Sequence, residues 1–443
     1  MILSELHRIR LHKNKELFHE IDNFCYLIKN LSNSVNYLIK QSYRIHTKLK
    51  AGNDLEDWER TMVDEINDGI RRYNLGRPNK RELRYVDSDN AFITDAYFLS
   101  WYLKDKPEYK AVPYATCSQI CIQEKCREWK SFYSALVEYQ KNPEKFLGRP
   151  HAPGYLDPDN GRGTIVITSQ NFKADADNRI QMPKFLNGIR IRARHNGVRQ
   201  IRIRTTEDSI DISLQYEKKE AEQILSNTVM GIDIGVNNLI AASWDSEMTP
   251  VIINGRPLKS INQYFNKTRA VLQEEAKKNN GRDMTKKISR LTSKRNRKIK
   301  DYMHKASRKI VNHAATTGAE LIVIGRNKGW KQNAKMGNRT NQNFVSIPYN
   351  MLINMISYKA RLLGIEVKVV SESYTSGTSY LDGERPSASN YDKSRRVKRG
   401  LFMSNSGISI NADVNAAYQM IKLVSVREIR IKEREKITKL KVA

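Results

Sequence analysis

Hydrophobic and polar positions divide the first third of the chain into one strand and a long helical region. Residues Leu3–His12 alternate between apolar and polar, as a half-buried strand does. From about Glu16 to Tyr139, apolar residues recur with the period of a helix. We predict long helices at both ends of this region, the second at Tyr114–Tyr139, and a less regular elaboration between them at Asn53–Pro113.

A second pattern begins after a loop at 143–163 that is rich in proline and glycine. Short runs with strand-like alternation follow it: GTIVITS, RIQMP, GIRIRARH, RQIRIRT and SIDISLQY. Their spacing predicts a small antiparallel β-barrel. If Leu3–His12 completes that barrel, the helical region is an insertion into it.

From Val229 onward, apolar strands and amphipathic helices alternate. TVMGIDIGVNNLIAASWD predicts two strands joined by a hairpin, and two long basic helices follow. The remaining predicted elements are a strand at Glu320–Gly325, a helix at Pro348–Leu363, a strand at Ile365–Ser371 and a helix from Asp413. This order is typical of an RNase H-like mixed α/β domain. We interpret the charged last stretch as a solvated or frayed helix.

The charge of the chain narrows the classes of partner. Its 443 residues include 77 Lys and Arg against 48 Asp and Glu, which gives a formal net charge of +29. A compact protein with this excess repels itself unless a polyanion lies close by. We therefore expect either a generally basic protein of the ribosomal kind or a dedicated nucleic-acid channel, and 39% hydrophobic residues argue against wholesale disorder.

Other features argue against membrane and secreted classes. No apolar run approaches the roughly 18 residues that a membrane span needs, and the first residues lack the pattern of a signal peptide. The cysteines form no C-x-x-C motif and are too few for a disulfide framework: Cys25, Cys117, Cys121 and Cys126. We expect buried thiols, no membrane partner and a cytoplasmic location.

Three acidic residues lie at strand ends or helix starts of the predicted α/β domain. Asp233 is in the apolar strand GIDIG, where a carboxylate is costly unless it is hydrogen-bonded or binds a metal. Asp413, in INADVNAAYQMI, fits equally well as the N-cap of the last helix. Glu372 follows a strand at the edge where α/β sheets place their sites, and a solvated strand-end Glu is the alternative.

Several strings resemble a known family: GIDIGVNNL, ELIVIG, SESYTS, SRRVKRGLF and NADVNAAY. They look like the RuvC segments of TnpB-type proteins, which are transposon-encoded, RNA-guided DNA endonucleases related to small type V CRISPR effectors. WKSFYSALVEYQKNPEKFLGRPHAPGY looks like the junction between the recognition helices and the wedge barrel of that family. The resemblance extends from about Trp129 to Ile421.

The resemblance implies an α/β RNase H-like (RuvC) nuclease domain, a small antiparallel β-barrel (the wedge) and an inserted α-helical recognition domain. The implied segments are a first wedge strand at 1–14, the recognition domain at 15–142, the wedge barrel at 143–227, the nuclease domain at 228–372 and 409–425, a nucleic-acid-binding insertion at 373–408 and a charged tail at 426–443.

Two departures from the family pattern change the expected site. The second motif usually ends its strand with Glu, where this chain has Gly325; a similar subgroup carries its Glu in an ESYTS-like string, here Glu372. The insertion of the family usually holds a four-cysteine zinc ribbon, but 373–408 contains no cysteine. We therefore expect no zinc there.

The chemistry implied by the resemblance is phosphodiester cleavage with two divalent metal ions, which needs hard oxygen ligands. On that basis Asp233, Glu372 and Asp413 are expected to be catalytic and to bind two Mg²⁺ ions, with Mn²⁺ as a substitute. We interpret the other acids near the motifs as surface or turn residues: Asp245, Glu320, Asp382 and Glu384.

Basic segments surround these motifs and predict contacts with phosphate, although such runs are often only solvated faces. The nucleic-acid-binding candidates are Lys294, Arg295, Arg297, Lys298, Arg308, Lys328, Trp330, Lys331, Tyr374, Arg395, Arg396, Lys398 and Arg399. Trp330 and Tyr374 are the candidates for stacking on bases, and a packing role is an equal alternative.

The predicted function is RNA-guided, Mg²⁺-dependent DNA cleavage, in which a guide RNA reads sequence and the protein reads a short flanking motif in double-stranded target DNA. The main rival is a nuclease-inactive, RNA-guided repressor of the same fold; a transposase that joins DNA ends is a third hypothesis. We expect the protein to be prokaryotic. The sequence leaves open the guide, the flanking motif, the choice between transposon and CRISPR locus, and the oligomeric state.

Overall fold

A computed structural model describes the chain except for residues 78–79, 90–92, 187, 282, 327–346, 399, 426–436 and 443. The chain separates into two compact units, here called the N-terminal unit (2–217) and the C-terminal unit (218–443). Within the described residues, every helix is too short or too polar to cross a membrane.

The N-terminal unit starts with strand β1 (Ile2–Arg10) and continues into helices. These are α1 (Lys15–Lys50), α2 (Asp57–Leu75), α3 (Ala96–Leu103), α4 (Pro107–Lys110) and α5 (Ala115–Lys141). Helices α1 and α5 confirm the two predicted long helices. The middle stretch is more regular than predicted, because a capping box formed by Glu56 and Glu59 starts α2 in a polar segment.

The strands of this unit form two antiparallel sheets. They are β2 (Ile165–Thr168), β3 (Lys173–Ala174), β4 (Arg179–Gln181), β5 (Ile191–Arg192), β6 (Val198–Thr205) and β7 (Ser209–Glu217). One sheet has the order β1-β7-β6-β2 and the other β3-β4-β5. Because β1 pairs with β7 along its whole length, helices α1–α5 are an insertion between strands of one sheet.

The four cysteines lie in the core of this unit, all buried and all free thiols. Burial raises the pKa of the Cys25 thiol to about 11 and the pKa values of the other three to about 12. A thiol protonated at neutral pH is a poor nucleophile and a poor metal ligand. The prediction of ordinary buried cysteines is confirmed.

The C-terminal unit is built on a six-stranded mixed sheet with the order β12-β11-β8-β9-β10-β15. Its strands are β8 (Val229–Asp233), β9 (Asn238–Trp244), β10 (Val251–Asn254), β11 (Leu321–Gly325), β12 (Glu366–Val370) and β15 (Thr438–Leu440). Strands β8, β11 and β12 are parallel, while β9 runs antiparallel to its neighbours β8 and β10. This is the predicted mixed α/β order.

Helices cover the sheet and bury its apolar side chains. They are α6 (Arg256–Asn280), α7 (Lys286–Thr316), α8 (Tyr349–Arg361) and α9 (Ala412–Lys422). The larger of the two core clusters in this unit joins residues of the central strands, including Ile232 and Ile324, to Ile310 of α7 and Ile356 of α8. A short hairpin of β13 (Leu401–Met403) and β14 (Ser409–Asn411) leads into α9. The sheet is therefore held rigidly where the candidate carboxylates lie.

The last described segment differs from its prediction. Thr438–Leu440 is a strand that pairs in parallel with Val251–Ile253, rather than a frayed helix. Strand β10 would otherwise leave one row of backbone donors and acceptors unpaired, and the tail satisfies them. Residues 426–436 lie outside the described part of the chain.

Candidate active site

Asp233 is the last residue of the central strand β8, so its position is fixed by ladders on both sides. Strand β8 pairs with β11 through Ile232 and with β9 through Asp233 itself. At Gly231, a Cβ atom would lie 2.0 Å from the carbonyl oxygen of Ala417. The missing side chain therefore lets helix α9 lie directly on β8, as expected for a glycine beside a close backbone approach.

Asp413 lies in the first turn of α9, but it is not the N-cap. Asn411 is the cap, because its side-chain oxygen accepts hydrogen bonds from the backbone N–H groups of Asp413 (3.0 Å) and Val414 (3.3 Å). The N-cap interpretation of Asp413 was therefore wrong. Its carboxylate instead accepts a hydrogen bond from Asn238 Nδ2 at 2.8 Å and lies 3.8 Å from Arg396 Nη2.

Glu372 follows β12 at the same edge of the sheet. Strands β11 and β12 are parallel neighbours, with Gly325 opposite Val370, as the crossover predicted. A Cβ atom at Gly325 would lie 3.1 Å from Cβ of Glu372 and 2.4 Å from Cε of Met420. Glycine at the end of β11 thus leaves the space that Glu372 and Met420 fill.

The three carboxyl groups influence one another electrostatically. Burial, together with Asp413 and Glu372, raises the pKa of Asp233 well above its usual range, while Arg396 opposes the shift. Burial raises the pKa of Glu372 to about 7. Ionising Asp233 and Glu372 is therefore costly without additional positive charge, which divalent cations supply.

The side chains at this edge supply the kind of ligand atom that a hard divalent cation prefers. Magnesium prefers carboxylate oxygens and water, and Asp233, Glu372 and Asp413 supply only oxygen. In the arrangement described, however, no group of three or more His, Cys, Asp or Glu side chains within the described residues has the spacing of a metal site. The carboxylates thus share one edge of the sheet without closing around a single point.

The competing acids have local structural partners. Asp245 is buried and accepts a hydrogen bond from the backbone N–H of Val229 at 2.7 Å. It therefore does not lie on the surface, which was one of the two settings predicted for it. Glu320 accepts from the backbone N–H groups of Ser226 and Asn227. Such acids fix loops next to the sheet and lie outside the carboxylate group.

Two of those acids organise the insertion at 373–408. Glu384 forms a two-pronged ion pair with Arg395 (2.5 and 2.9 Å) in which both side chains are mostly buried. Asp382 accepts a hydrogen bond from the backbone of Asn405 at 2.8 Å. This ionic cluster ties together a segment that contains no cysteine.

The basic candidates on α7 fall into two groups. Lys294, Lys298 and Arg308 are exposed. Arg295 is half-buried, donates to Asn262 Oδ1 at 2.8 Å and lies over the ring of Phe265, so it joins α7 to α6. The remaining candidate of this helix, Arg297, is also half-buried.

The candidates in the insertion have different surroundings. Tyr374 is 48% exposed and has φ +67°, a left-handed backbone conformation that strains a non-glycine residue. Its ring lies 6.0 Å from that of Tyr391. Arg396 and Lys398 are exposed, whereas Arg395 is engaged with Glu384. The candidates outside the described residues are Lys328, Trp330, Lys331 and Arg399.

The sequence analysis missed two residues next to the carboxylates. Asn238 holds Asp413, and the only signal for it was its place in the NN pair that follows the Asp233 strand. Tyr349 is fully buried at the start of α8, and burial, Asp233 and Glu372 raise the pKa of its hydroxyl. Nothing in the local sequence distinguishes Tyr349 from an ordinary core tyrosine.

Comparisons with known proteins find family matches from residue 212 onward. A family described as a probable transposase (OrfB_IS605) matches residues 212–331, and one described as the Cas12f1-like TNB domain matches residues 349–420. Over these two stretches the chain is similar to TnpB-type proteins and type V effectors. The two matches include Asp233 in the first case and Glu372 and Asp413 in the second.

The individual proteins that this chain is similar to are distant in sequence. A CRISPR-associated endodeoxyribonuclease, Cas12f2 of a Micrarchaeota archaeon, is 30% identical over 207 residues, which are 44% of this chain and 36% of that relative. The chain thus matches about a third of the relative's length. The structure of a Cas12f1–sgRNA–target DNA complex aligns with a TM-score of 0.51 at 12% identity, over 95% of this chain and 98% of that one. This likeness shows the fold, which is that of RuvC-containing effectors.

Proposed function

We propose that the protein is an RNA-guided DNA endonuclease whose active site consists of Asp233, Glu372 and Asp413. The observation that carries the proposal is their convergence: a strand end, a post-strand loop and a helix start lie at one edge of the mixed sheet, and their charges affect one another. Half-buried carboxylates gathered in this way are typical of catalytic sites rather than of structural ones.

The proposed chemistry is metal-assisted phosphodiester hydrolysis. The three carboxylates would hold two Mg²⁺ ions, and such ions activate a water and stabilise the charge that develops on phosphate. Asn238 fixes one oxygen of Asp413, and Gly325 leaves room for Glu372. Arg396 lies close enough to Asp413 to offset part of the negative charge.

The proposed partners are a guide RNA and double-stranded target DNA. The relative in the sequence comparison is named an endodeoxyribonuclease, and the similar structure is a complex with sgRNA and target DNA. The net charge of +29 supports the same partners here, because it favours long polyanions. In this proposal the helices at 15–142 recognise nucleic acid, the sheets at 143–227 with residues 1–14 act as the wedge, and base pairing selects the target.

The experiment that tests the function starts with the protein purified together with its RNA, which is sequenced to define the guide. Target DNA containing the guide match is then offered with Mg²⁺. We predict that Asp233→Ala and Asp413→Ala abolish cleavage while guided binding stays within about threefold of wild type, since neither variant removes a basic side chain. Glu320→Ala is the matched acidic control.

The rival function is a nuclease-inactive repressor. Wild-type protein that binds guided DNA tightly but never cuts it with Mg²⁺ or Mn²⁺ would favour the repressor and overturn the endonuclease. Cleavage that persists in Asp233→Ala would overturn the proposed active site.

A further inference from the structure

Asn238 occupies a position beside Asp413 that the backbone holds firmly. It is the first residue of β9, which lies between β8 and β10 in the mixed sheet. The loop before it is tied to the end of β10, because the N–H of Gly255 donates to the carbonyl oxygen of Asn237 at 2.7 Å. A Cβ atom at Gly255 would lie 2.3 Å from the carbonyl oxygen of Val236, so the glycine is what permits this close approach. The side chain of Asn238 therefore extends from a fixed point.

The two carboxylate oxygens of Asp413 have different surroundings. Oδ2 accepts the hydrogen bond from Nδ2 of Asn238 at 2.8 Å. Oδ1 lies 3.8 Å from Nη2 of Arg396, which is longer than a hydrogen bond. The first turn of α9 is itself fixed by the cap that Asn411 forms. Asn238 thus engages one oxygen of a firmly placed carboxylate and leaves the other.

This asymmetry bears on which divalent cation the carboxylate suits. Mg²⁺ demands near-ideal octahedral geometry and keeps several waters, whereas Ca²⁺ accepts about 6–8 oxygens and takes a carboxylate by one oxygen or by both. A carboxylate that binds an ion with both oxygens must direct lone pairs of both at that ion. A donor hydrogen-bonded to Oδ2 competes with this arrangement, and it also fixes the rotation of the Asp413 side chain.

We propose that Asn238 is a positioning residue that keeps Asp413 a ligand through one oxygen, and that it thereby favours Mg²⁺ over Ca²⁺ at the carboxylates. The inference rests on the proposed endonuclease function, because that function is what requires metal ions at Asp413. Hydrogen-bond partners of metal ligands orient the ligand and tune the affinity of the site. The amide of Asn238 is neutral, so it orients Asp413 without adding to the repulsion among the carboxylates.

The test measures metal binding apart from cleavage. Mg²⁺ and Ca²⁺ are titrated separately into the full-length protein, freed of nucleic acid and metal, by isothermal titration calorimetry. Asn238→Ala should weaken Mg²⁺ binding about tenfold or more, because the ligand loses the partner that orients it. Ca²⁺ binding should fall by less than about threefold, since the released Oδ2 can serve as a second ligand atom. In the RNA-bound protein, guided cleavage in Mg²⁺ should become more sensitive to added Ca²⁺.

A matched control separates this effect from disturbance of the loop. Asn237→Ala removes the neighbouring amide, which accepts a hydrogen bond from Lys259 Nζ at 2.8 Å, and should leave the ratio of Mg²⁺ to Ca²⁺ affinity unchanged. A merely structural role of Asn238 would lower both affinities by the same factor, and that result would overturn the proposal. Asn238→Leu, which fills the space without a donor, replaces Asn238→Ala if the latter does not fold, with the same expected shift.

Failure of this inference and failure of the proposed function remain distinguishable. If Asp413→Ala leaves Mg²⁺ binding unchanged, the carboxylates are not the metal site, and the proposed function and the inference are both wrong. If Asp413→Ala removes Mg²⁺ binding while Asn238→Ala keeps wild-type affinities for both ions, the role of Asn238 alone is wrong.

Discussion

At the scale of residues, the site consists of carboxylates that the fold accommodates despite burial and neighbouring negative charge. Asp233 ends a buried strand, and its raised pKa reflects burial and the neighbouring acids Asp413 and Glu372. Arg396 offsets only part of this repulsion. Function at such a site is expected to cost stability, because the arrangement that suits metal ions is unfavourable without them.

Glu372 gives that cost a measurable pH dependence. Its folded pKa of about 7 lies above its ordinary value of 4.5, so stability is fully present below about pH 4.5 and is lost as pH rises toward 7. In EDTA at pH 8, we predict that Glu372→Gln raises the melting temperature by about 2–6 °C, and that the gain disappears near pH 4.5.

The control for this prediction is Glu366→Gln, which changes an exposed glutamate at the start of β12, the strand that precedes Glu372. It should leave the melting temperature within about 1 °C of wild type at both pH values. An equal shift at both pH values for Glu372→Gln would show that this residue is not held in a charge-disfavouring environment.

Local sequence identified these residues unevenly. Asp233 was recognisable because a carboxylate interrupts an apolar strand. Asp413 was ambiguous, since Asp and Asn are both good N-caps, and only the three-dimensional arrangement shows that Asn411 takes that role. Asn238 and Tyr349 could not be identified, because their importance comes from neighbours distant in sequence.

At the scale of elements, the packing of α9 on the sheet sets the position of Asp413. Gly231 permits this packing, since a Cβ atom there would meet the Ala417 carbonyl at 2.0 Å and Ile421 Cγ1 at 2.8 Å. The helix cannot keep its place if that space is filled. Interiors respond to such overpacking by backbone shifts.

We therefore predict that Gly231→Ala lowers the free energy of unfolding by about 1–3 kcal/mol and reduces cleavage more than guided binding. Chemical denaturation and a cleavage time course measure the two effects. Gly148→Ala is the control, because a Cβ atom there meets nothing within 4 Å. A Gly231 variant as stable and active as this control would contradict the proposed role of the contact.

Helices and strands were predicted correctly where the hydrophobic period and the expected connection between elements indicated the same structure. The parallel pairing of β11 with β12 followed from a single helix between two apolar strands, and Gly325 opposite Val370 is the result. Strand β15 was missed because it has only three residues and lies at the end of a charged stretch. Its strand conformation comes from the available edge of β10 rather than from local propensity.

At the scale of the whole molecule, charge dominates. The excess of 77 basic over 48 acidic residues is too large to be neutralised internally. Composition alone could predict this preference for polyanions. It could not predict that cations from segments far apart in sequence, such as Arg256 and Lys439, line one groove of the C-terminal unit.

The charge predicts that the proposed RNA binding depends strongly on salt. A protein that neutralises six to ten phosphates loses about 10³–10⁵-fold in affinity between about 50 and 200 mM salt, because counterions are released on binding. We predict a loss in this range for the co-purified RNA, measured by filter binding in a salt titration. A nearly flat dependence would contradict the nucleic-acid channel.

The most direct test of the central claim is the guided cleavage rate of Glu372→Gln under saturating RNA and Mg²⁺, with DNA binding measured on the same samples. If Glu372 completes the site with Asp233 and Asp413, the variant should lose cleavage as completely as Asp233→Ala, by about 10³-fold or more. Guided binding should be unchanged. A variant that binds and cuts like wild type would show that Glu372 is a solvated strand-end residue and that the proposed three-carboxylate site is wrong.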